Sequence, residues 1–178
     1  MKLSAIVLAA GNGHRFGGDK LRADLGGKPV IDHVLCHLQQ FDFHERLAVV
    51  RPGQAIAGIR AVENPRAEDG MGTSLALGIA SLAACDGAFV ILGDMPFLPA
   101  GVFAGLAQHL PQHDIVVPRH EGQSGHPVLF ARTCFADLQK LSGDRGGRSL
   151  IEAEHYRVAY VDVASDGILR DIDVPEDL

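Results

Sequence analysis

Residues 8–20 read LAAGNGHRFGGDK, and the apolar run Leu3–Leu8 leads into this segment. Such a run is typical of a buried β-strand. The segment after it contains four glycines and two strong cations, Arg15 and Lys20. Glycine lets backbone N–H groups converge on one point, where they bind an anion. The cations add charge beside that point, so the loop predicts a phosphate-binding site. The alternative is a glycine-rich surface loop with solvated charges.

Two common phosphate-binding loops do not match this spacing. The dinucleotide fingerprint G-x-G-x-x-G fails because Phe16 occupies the place of its third glycine. The P-loop requires G-K-[ST] at its end, whereas Asp19 separates Gly18 from Lys20 here and Leu21 follows. Neither motif therefore accounts for the loop.

The string resembles L-A-(A/G)-G-x-(G/S)-x-R-(F/M)-G-x-x-K, the signature of nucleotidyltransferases related to the molybdenum cofactor cytidylyl- and guanylyltransferases. The resemblance extends from the loop to the end of the chain. It implies that the loop binds a nucleoside triphosphate through Leu8, Ala9, Ala10, Gly11, Gly13, Arg15 and Lys20. It also implies catalytic roles for Arg15 and Lys20, which would neutralise phosphate charge.

Composition limits the class of protein. The chain has 178 residues, 47% hydrophobic content and a net charge of −6. These values favour one folded domain over residues 1–178, and they argue against disorder and against a nucleic-acid-binding face. The three cysteines are isolated and odd in number, which favours a reducing compartment. No apolar run approaches the roughly 20 residues of a membrane span. We therefore expect a cytoplasmic protein without nucleic-acid or membrane partners.

Predicted strands alternate with predicted helices along the chain. This order predicts an α/β fold, namely a single Rossmann-like nucleotidyltransferase domain with a mostly parallel sheet and helices on both faces. His33 and His37 lie one turn apart on the first predicted helix, at a spacing that can hold zinc. No third ligand is obvious nearby, so we interpret them as polar surface residues of that helix.

A helix is predicted to begin near Thr73, and Thr73 or Ser74 is a candidate for its N-terminal cap. The resemblance implies that Gly72 and Ser74 lie beside the base and ribose of the nucleotide. Both functions are compatible, because N–H groups at the start of a helix are free to bind a ligand.

A carboxylate follows the most apolar strand, 88–92, at Asp94. Ligands of open α/β sheets bind at this end of a strand, although an aspartate there can also serve only to turn the chain. Gly93–Pro96 matches the metal-binding motif of the resembled family. Residues 171–178 resemble its closing D-I-(D/N)-T-P-E-D-L, with Val174 in place of threonine. The resemblance implies that Asp94 and Asp173 hold Mg²⁺ and that Asp94 is catalytic.

Two polar loops resemble the part of the cytidylyltransferase branch that faces the acceptor. One contains His126, which contacts the acceptor or only braces its loop. The other, 142–148, contains Arg145 and Arg148, which form an anion clamp or belong to a flexible connector.

The resemblance implies transfer of CMP from CTP to the phosphate of molybdopterin carrying molybdenum, with release of pyrophosphate. Ala10 is typical of the cytidylyl branch. A molybdoenzyme or its chaperone would receive the product. Alternatives within the superfamily are the guanylyl reaction and sugar or polyol phosphate acceptors. A nicotinamide-dependent oxidoreductase would need an acid after its second strand, whereas Asp32 falls on the first helix. A degenerate nucleotide-binding regulator is disfavoured by the set Lys20, Asp94 and Asp173.

Overall fold

A computed structural model describes residues 1–11, 13 and 16–178. It contains ten strands within those residues, which are β1 Leu3–Leu8, β2 Asp24–Leu25, β3 Lys28–Pro29, β4 Glu45–Val50, β5 Arg60–Glu63, β6 Gly87–Leu92, β7 Ile115–His120, β8 Gln123–Ser124, β9 Val128–Ala131 and β10 Val158–Asp162. The described α-helices are α1 Val30–Leu38, α2 Met71–Ala80, α3 Val102–Ala107, α4 Phe135–Leu138 and α5 Arg148–Ile151. Strands and helices alternate through most of the chain, as the sequence predicts.

The main sheet has the strand order β10-β7-β9-β6-β1-β4-β5, with β8 paired to β7. Neighbouring strands are parallel from β6 through β1 and β4 to β5, and β10 is parallel to β7. Only β9 and the short β8 form antiparallel pairs in this sheet. The segment between β7 and β9 is too short for a parallel crossover, which requires about a dozen residues. The predicted mostly parallel α/β sheet is confirmed.

Apolar side chains cover both faces of the sheet. On one face, four phenylalanines, Phe41, Phe43, Phe89 and Phe103, pack edge-on or tilted among residues of α1 and α3. On the other face, Leu75 and Ile79 of α2, Leu138 of α4 and Leu150 of α5 form one cluster with residues of β1, β4, β6, β7 and β9. Successive residues of β1 alternate between these two clusters, as expected for a strand buried on both sides. The predicted helices on both faces are confirmed.

The start of α2 differs from the prediction. Neither Thr73 nor Ser74 caps the helix, because Gly70 is the N-cap residue with φ of 106°. The Thr73 hydroxyl donates instead to the Gly70 carbonyl oxygen at 2.9 Å. A Cβ at Gly70 would collide with the backbone of Gly143, so glycine is required both by the positive φ and by the close approach. The helix therefore begins where two loops are in direct contact.

None of the described helices is long and apolar enough to span a membrane.

Candidate active site

The glycine loop and Asp94 leave the sheet side by side. Strands β1 and β6 are parallel neighbours, and their last residues, Leu8 and Leu92, are paired in register. The backbone N–H of Gly93 continues this pairing by donating to the Leu8 carbonyl oxygen at 2.9 Å. Both segments that follow therefore start at the carboxyl edge of the sheet, where ligands of α/β proteins bind.

The C-terminal segment joins them through a backbone hydrogen bond. The N–H of Ile172 donates to the Asp94 carbonyl oxygen at 2.9 Å, which brings Asp173 beside Asp94. The Asp177 carboxylate accepts hydrogen bonds from the N–H groups of Asp173 and Val174, at 2.8 and 2.9 Å. These bonds hold the pKa of Asp177 below its usual value and fix the turn that carries Asp173.

Lys20 lies between the two carboxylates. Its Nζ is 2.6 Å from Oδ2 of Asp94 and 3.4 Å from Oδ1 of Asp173. The Lys20 side chain is only 13% exposed. Burial alone would lower its pKa, but the hydrogen bonds and charges of Asp94 and Asp173 outweigh that effect and raise the pKa above its usual value. Lys20 is therefore charged and held by the acids that the sequence assigns to the metal.

The donor set at this point fits a magnesium ion. Among the described residues, Oδ1 of Asp94 is one of the few buried side-chain oxygens that lack a hydrogen-bond partner. An unsatisfied buried carboxylate oxygen is costly unless a cation or donor reaches it. No group of three His, Cys, Asp or Glu residues in the described ranges is placed to hold a metal. Mg²⁺ commonly binds one or two carboxylates and completes its shell with phosphate oxygens and water, so two aspartates suffice when a nucleotide is present.

A cavity of about 450 Å³ opens beside these residues. The sequence-predicted residues that line it are Leu8, Ala9, Ala10, Gly11, Gly13, Lys20, Ser74, Asp94 and Asp173. Gly13 has φ of 56°, and a Cβ there would lie 2.6 Å from the Gly18 carbonyl oxygen, so the loop requires glycine at this position. The structure thus brings most of the predicted nucleotide site together in one cavity.

One described residue of the predicted nucleotide site does not appear in that lining. Gly72 does not line the cavity. Its N–H donates to the Gly143 carbonyl oxygen at 2.7 Å and is not available to a ligand. Gly70 lines the cavity in its place. Arg15 lies outside the described residues. Ser74 lines the cavity, and its hydroxyl accepts a hydrogen bond from Nδ2 of Asn64 at 2.9 Å.

A second cavity, of about 460 Å³, adjoins the first, and Leu8 and Met71 line both. His126, Arg145 and Arg148, the predicted acceptor residues, all line it. Its floor is apolar and includes Leu75 and Phe130 of the core. The structure therefore places the predicted nucleotide and acceptor residues in two neighbouring cavities.

The two arginines of the second cavity form ion pairs with a nearby carboxylate. Arg145 and Arg148 both contact the Glu152 carboxylate, at 3.1 and 2.7 Å, while their side chains remain 74% and 77% exposed. Nδ1 of His126 is 3.5 Å from the Val90 carbonyl oxygen, and its backbone N–H donates to the Ile168 carbonyl oxygen. Burial lowers the pKa of His126, so its ring is neutral at pH 7. The arginines are the cations available to an anion here.

Sequence reasoning missed several residues of the two cavities. Met71 and Tyr160 are among the few exposed large hydrophobic residues, and both line the second cavity. Asp144 and Asp171 line the first. Burial, and then the nearby Asp94 charge, raise the pKa of Asp171. Glu152 could have been identified from the sequence, because it follows Arg148 by four residues, and the two side chains form an i,i+4 ion pair.

The histidine pair of α1 is not a metal site. Nε2 of His33 contacts the Leu25 carbonyl oxygen, and Nε2 of His37 contacts the Pro96 carbonyl oxygen, each at 2.8 Å. The two rings are therefore held by two different carbonyl groups on two different segments, and both are half-buried rather than exposed polar residues of the helix surface.

A family profile described as "MobA-like NTP transferase domain" matches residues 5–159. The chain belongs to this family. The resemblance found in the glycine loop is thereby confirmed, and nucleotidyl transfer is the activity of the family. The match includes the glycine loop, Asp94 and the predicted acceptor residues, and it ends before the segment that carries Asp173.

Three curated relatives of this chain have names that state different functions. Purine catabolism protein PucB of Bacillus subtilis is 29% identical over 98% of this chain and 93% of its own length. Molybdenum cofactor cytidylyltransferase of Escherichia coli is 25% identical over 98% and 93%. Molybdenum cofactor guanylyltransferase of Rhizobium leguminosarum is 34% identical over 78% of this chain and 68% of its own. The three names differ in the nucleotide transferred and, for PucB, in the process that the protein serves.

Solved structures support the same fold. Rv0371c from Mycobacterium tuberculosis superposes with a TM-score of 0.87 at 25% identity, covering 99% of this chain and 95% of its own. A structure titled as the manganese complex of Rv0371C has a TM-score of 0.81 at 24% identity and covers 99% and 96%. The fold shared with these structures therefore covers 99% of this chain and extends past the family match into the C-terminal segment that carries Asp173.

Proposed function

We propose that the protein transfers CMP from CTP to the phosphate of a molybdopterin-type molybdenum cofactor and releases pyrophosphate. The observation that carries the proposal is the pair of adjoining cavities. One contains the glycine loop, Lys20 and the two aspartates, and the other contains Arg145 and Arg148. A donor and an anionic acceptor bound in these cavities would meet at their shared wall.

The chain's own residues would act by position and charge. The acceptor phosphate is largely dianionic at pH 7, since its second pKa is about 6, so no general base is needed. One of its oxygens attacks the α-phosphorus of CTP in line, a new P–O bond forms, and the bond to the β-phosphate oxygen breaks. Lys20 and Arg15 would neutralise the charge that accumulates on the pyrophosphate. Asp94 and Asp173 would hold Mg²⁺, which supplies further charge neutralisation when bound.

The choice of CTP rests on Ala10. Its side chain is buried and lines the nucleotide cavity at the end of β1. A methyl group here removes space that a purine would occupy and gives a pyrimidine an apolar contact. One relative is named a cytidylyltransferase and another a guanylyltransferase, so membership of the family does not fix the base, and we propose it from Ala10.

The choice of acceptor rests on the second cavity. It combines an apolar floor, the exposed Tyr160 ring, Met71 and two exposed arginines. This combination suits a planar heterocycle that carries an anionic group. Sugar phosphates and polyol phosphates offer the anion without the heterocycle, and they are the second candidates.

A nicotinamide-dependent oxidoreductase is the least favoured candidate. Asp32, the acid near the expected distance from the glycine loop, lies on α1 and lines a third cavity rather than the nucleotide cavity. A regulator that only binds nucleotide is disfavoured by the cluster of Lys20, Asp94 and Asp173.

Pyrophosphate release measures the proposed reaction directly. Each of the four nucleoside triphosphates is incubated with Mg²⁺ and one acceptor, which is molybdenum-bearing molybdopterin, a sugar phosphate or a polyol phosphate. We expect the highest rate with CTP and molybdopterin. Rapid release with a different pair would reassign the substrates, and no release with any pair would contradict nucleotidyl transfer. We further propose that a molybdoenzyme or its chaperone receives the product and that the reaction takes place in the cytoplasm, in one domain spanning residues 1–178.

A further inference from the structure

The position of Lys20 conflicts with a metal held by both aspartates. Its ammonium bridges Asp94 and Asp173, at 2.6 and 3.4 Å from their oxygens. A divalent ion that both carboxylates hold, through Oδ1 or Oδ2 of Asp94, would lie close to the ammonium. The ammonium satisfies Oδ2 of Asp94 but leaves Oδ1 of that carboxylate buried and unpartnered among the described residues.

Electrostatics makes the two cations compete at this point. Magnesium lies about 2.0–2.1 Å from its carboxylate oxygens, so an ammonium on the same oxygens would be only a few ångströms away. At such distances two like charges in a partly buried site repel strongly. Each cation therefore weakens the binding of the other, and Lys20 has a flexible four-carbon stem that lets it move away.

The nucleotide cavity provides the alternative partner for Lys20. The same side chain lines that cavity next to Gly11 and Gly13 of the glycine loop. Phosphate groups bound there would carry several negative charges within reach of the ammonium. Phosphates would therefore draw Lys20 away from the aspartates at the moment when the metal is needed.

We propose that Lys20 is a placeholder that occupies the metal position and competes with the divalent ion until the triphosphate draws it away. This inference rests on the proposed function, because it takes Asp94 and Asp173 as the metal ligands. It follows that the metal binds weakly to the protein alone and enters together with the nucleotide. Lys20 thereby sets the order in which the site is assembled.

The test measures Mn²⁺ binding to the protein without nucleotide, by the loss of the electron paramagnetic resonance signal of free Mn²⁺. Lys20→Gln removes the competing charge, so we expect it to bind Mn²⁺ at least about tenfold more tightly than the wild type. Lys140→Gln is the matched control, because Lys140 pairs with Asp137 at 2.8 Å on the surface. The control should bind Mn²⁺ as the wild type does. Adding Asp94→Asn to Lys20→Gln should abolish the tighter binding.

Thermal unfolding gives a second measurement that does not depend on the resonance signal. Lys20→Gln leaves two carboxylates facing each other, so its Tm should be lower than that of the wild type. Mn²⁺ should raise the Tm of this variant more than that of the wild type, because at a given concentration a ligand that binds more tightly stabilises the folded state more.

Two results would contradict the placeholder. Equal or weaker Mn²⁺ binding by Lys20→Gln, at a site that still depends on Asp94, would refute the competition and leave the proposed function intact. No Asp94-dependent binding in any variant would refute both the placeholder and the metal assignment on which the proposed function relies.

Discussion

The backbone N–H of Ile172 donates to the carbonyl oxygen of Asp94 at 2.9 Å, and this bond joins the last segment of the chain to the end of the central strand. This bond places Asp173 beside Asp94 through the backbone and not through a contact between the two side chains. The carboxylates that we assign to the metal are thus positioned by the backbone, so their side chains can be changed without losing the arrangement.

Replacement of either aspartate should therefore abolish catalysis in a folded protein. We expect Asp94→Ala and Asp173→Ala each to reduce pyrophosphate release to background, because the remaining carboxylate would hold Mg²⁺ poorly. Circular dichroism should show an unchanged fold. Asp137→Ala is the control, since Asp137 forms an exposed ion pair with Lys140 and lines neither cavity. Normal turnover in either site variant at ordinary Mg²⁺ concentrations would contradict the assignment.

Removal of Lys20 should weaken catalysis more than it weakens nucleotide binding. Loss of one charged donor at a reacting phosphate costs about 2.7–4 kcal/mol of transition-state stabilisation, or roughly 100- to 1000-fold. We expect a fall of this size in kcat/KM for Lys20→Ala. Lys140→Ala should have no effect. A fall of less than about tenfold would mean that Lys20 does not act on the phosphates.

The side chain of Ala10 should contribute to the choice of base. One methyl group in a binding pocket is worth about 1–3 kcal/mol, or roughly 10- to 200-fold in discrimination. We expect CTP to be used at least about tenfold better than GTP, and Ala10→Gly to narrow this difference without reversing it. Incorporation from equal concentrations of the two nucleotides measures the ratio. A preference for GTP in the wild type would overturn the cytidylyl assignment alone.

The ring of Tyr160 should bind the acceptor and not the nucleotide. Tyr160 is 48% exposed and lines only the second of the two adjoining cavities. Stacking on an aromatic side chain is worth about 1–3 kcal/mol, so Tyr160→Ala should raise the KM for molybdopterin roughly 10-fold or more. The KM for CTP should not change, and Tyr160→Phe should behave as the wild type. A change confined to CTP would contradict the placement of the acceptor.

Asp114 should stabilise the fold in a pH-dependent way. Its carboxylate accepts hydrogen bonds from Arg157 and Thr133, which tie the start of β7 to β10 and to the turn after β9. Hydrogen bonds from Arg157 lower the pKa of Asp114 to about 2. The group keeps its charge in the folded state at pH values where the unfolded chain, with an ordinary aspartate pKa near 4, takes up a proton. Its contribution is therefore fully present above about pH 4 and is lost as the pH falls toward 2.

Urea denaturation measures this effect. We expect Asp114→Asn to lower the free energy of unfolding by about 1–2 kcal/mol at pH 7, between the values for an exposed ion pair and for a hydrogen bond to a charged group. The difference from the wild type should shrink progressively between about pH 4 and pH 2. A difference that stays constant over this range would show that the charge of Asp114 is not responsible.

The sequence predicts well which strand ends come together at the site. An apolar run that ends in a glycine loop and another that ends in Asp94 both have clear periodicity, and parallel strands bring such ends together. The antiparallel direction of β9 was also predictable from the few residues that separate it from β7. Periodicity does not identify the strand end on which residues 171–178 pack, because the hydrogen bond from Ile172 that decides it is a tertiary contact.

Two site features could not be predicted for a similar reason. Lys20 follows a glycine loop, so the pattern indicates a phosphate as its partner, yet its partners in the structure are two aspartates distant in sequence. Gly72 occurs in a glycine-rich helix start of the kind that binds ligands. Its N–H is used by the carbonyl group of Gly143, which sequence spacing does not reveal.

The close contact between Gly70 and Gly143 links the substrate-binding segments mechanically. Gly70 lines the nucleotide cavity, and Gly143 begins the loop that presents Arg145 and Arg148 to the acceptor. With no space for even one additional carbon between them, the two segments cannot shift independently. An acceptor that orders the arginine loop would also order the start of α2, so each substrate should bind more tightly when the other is already in place.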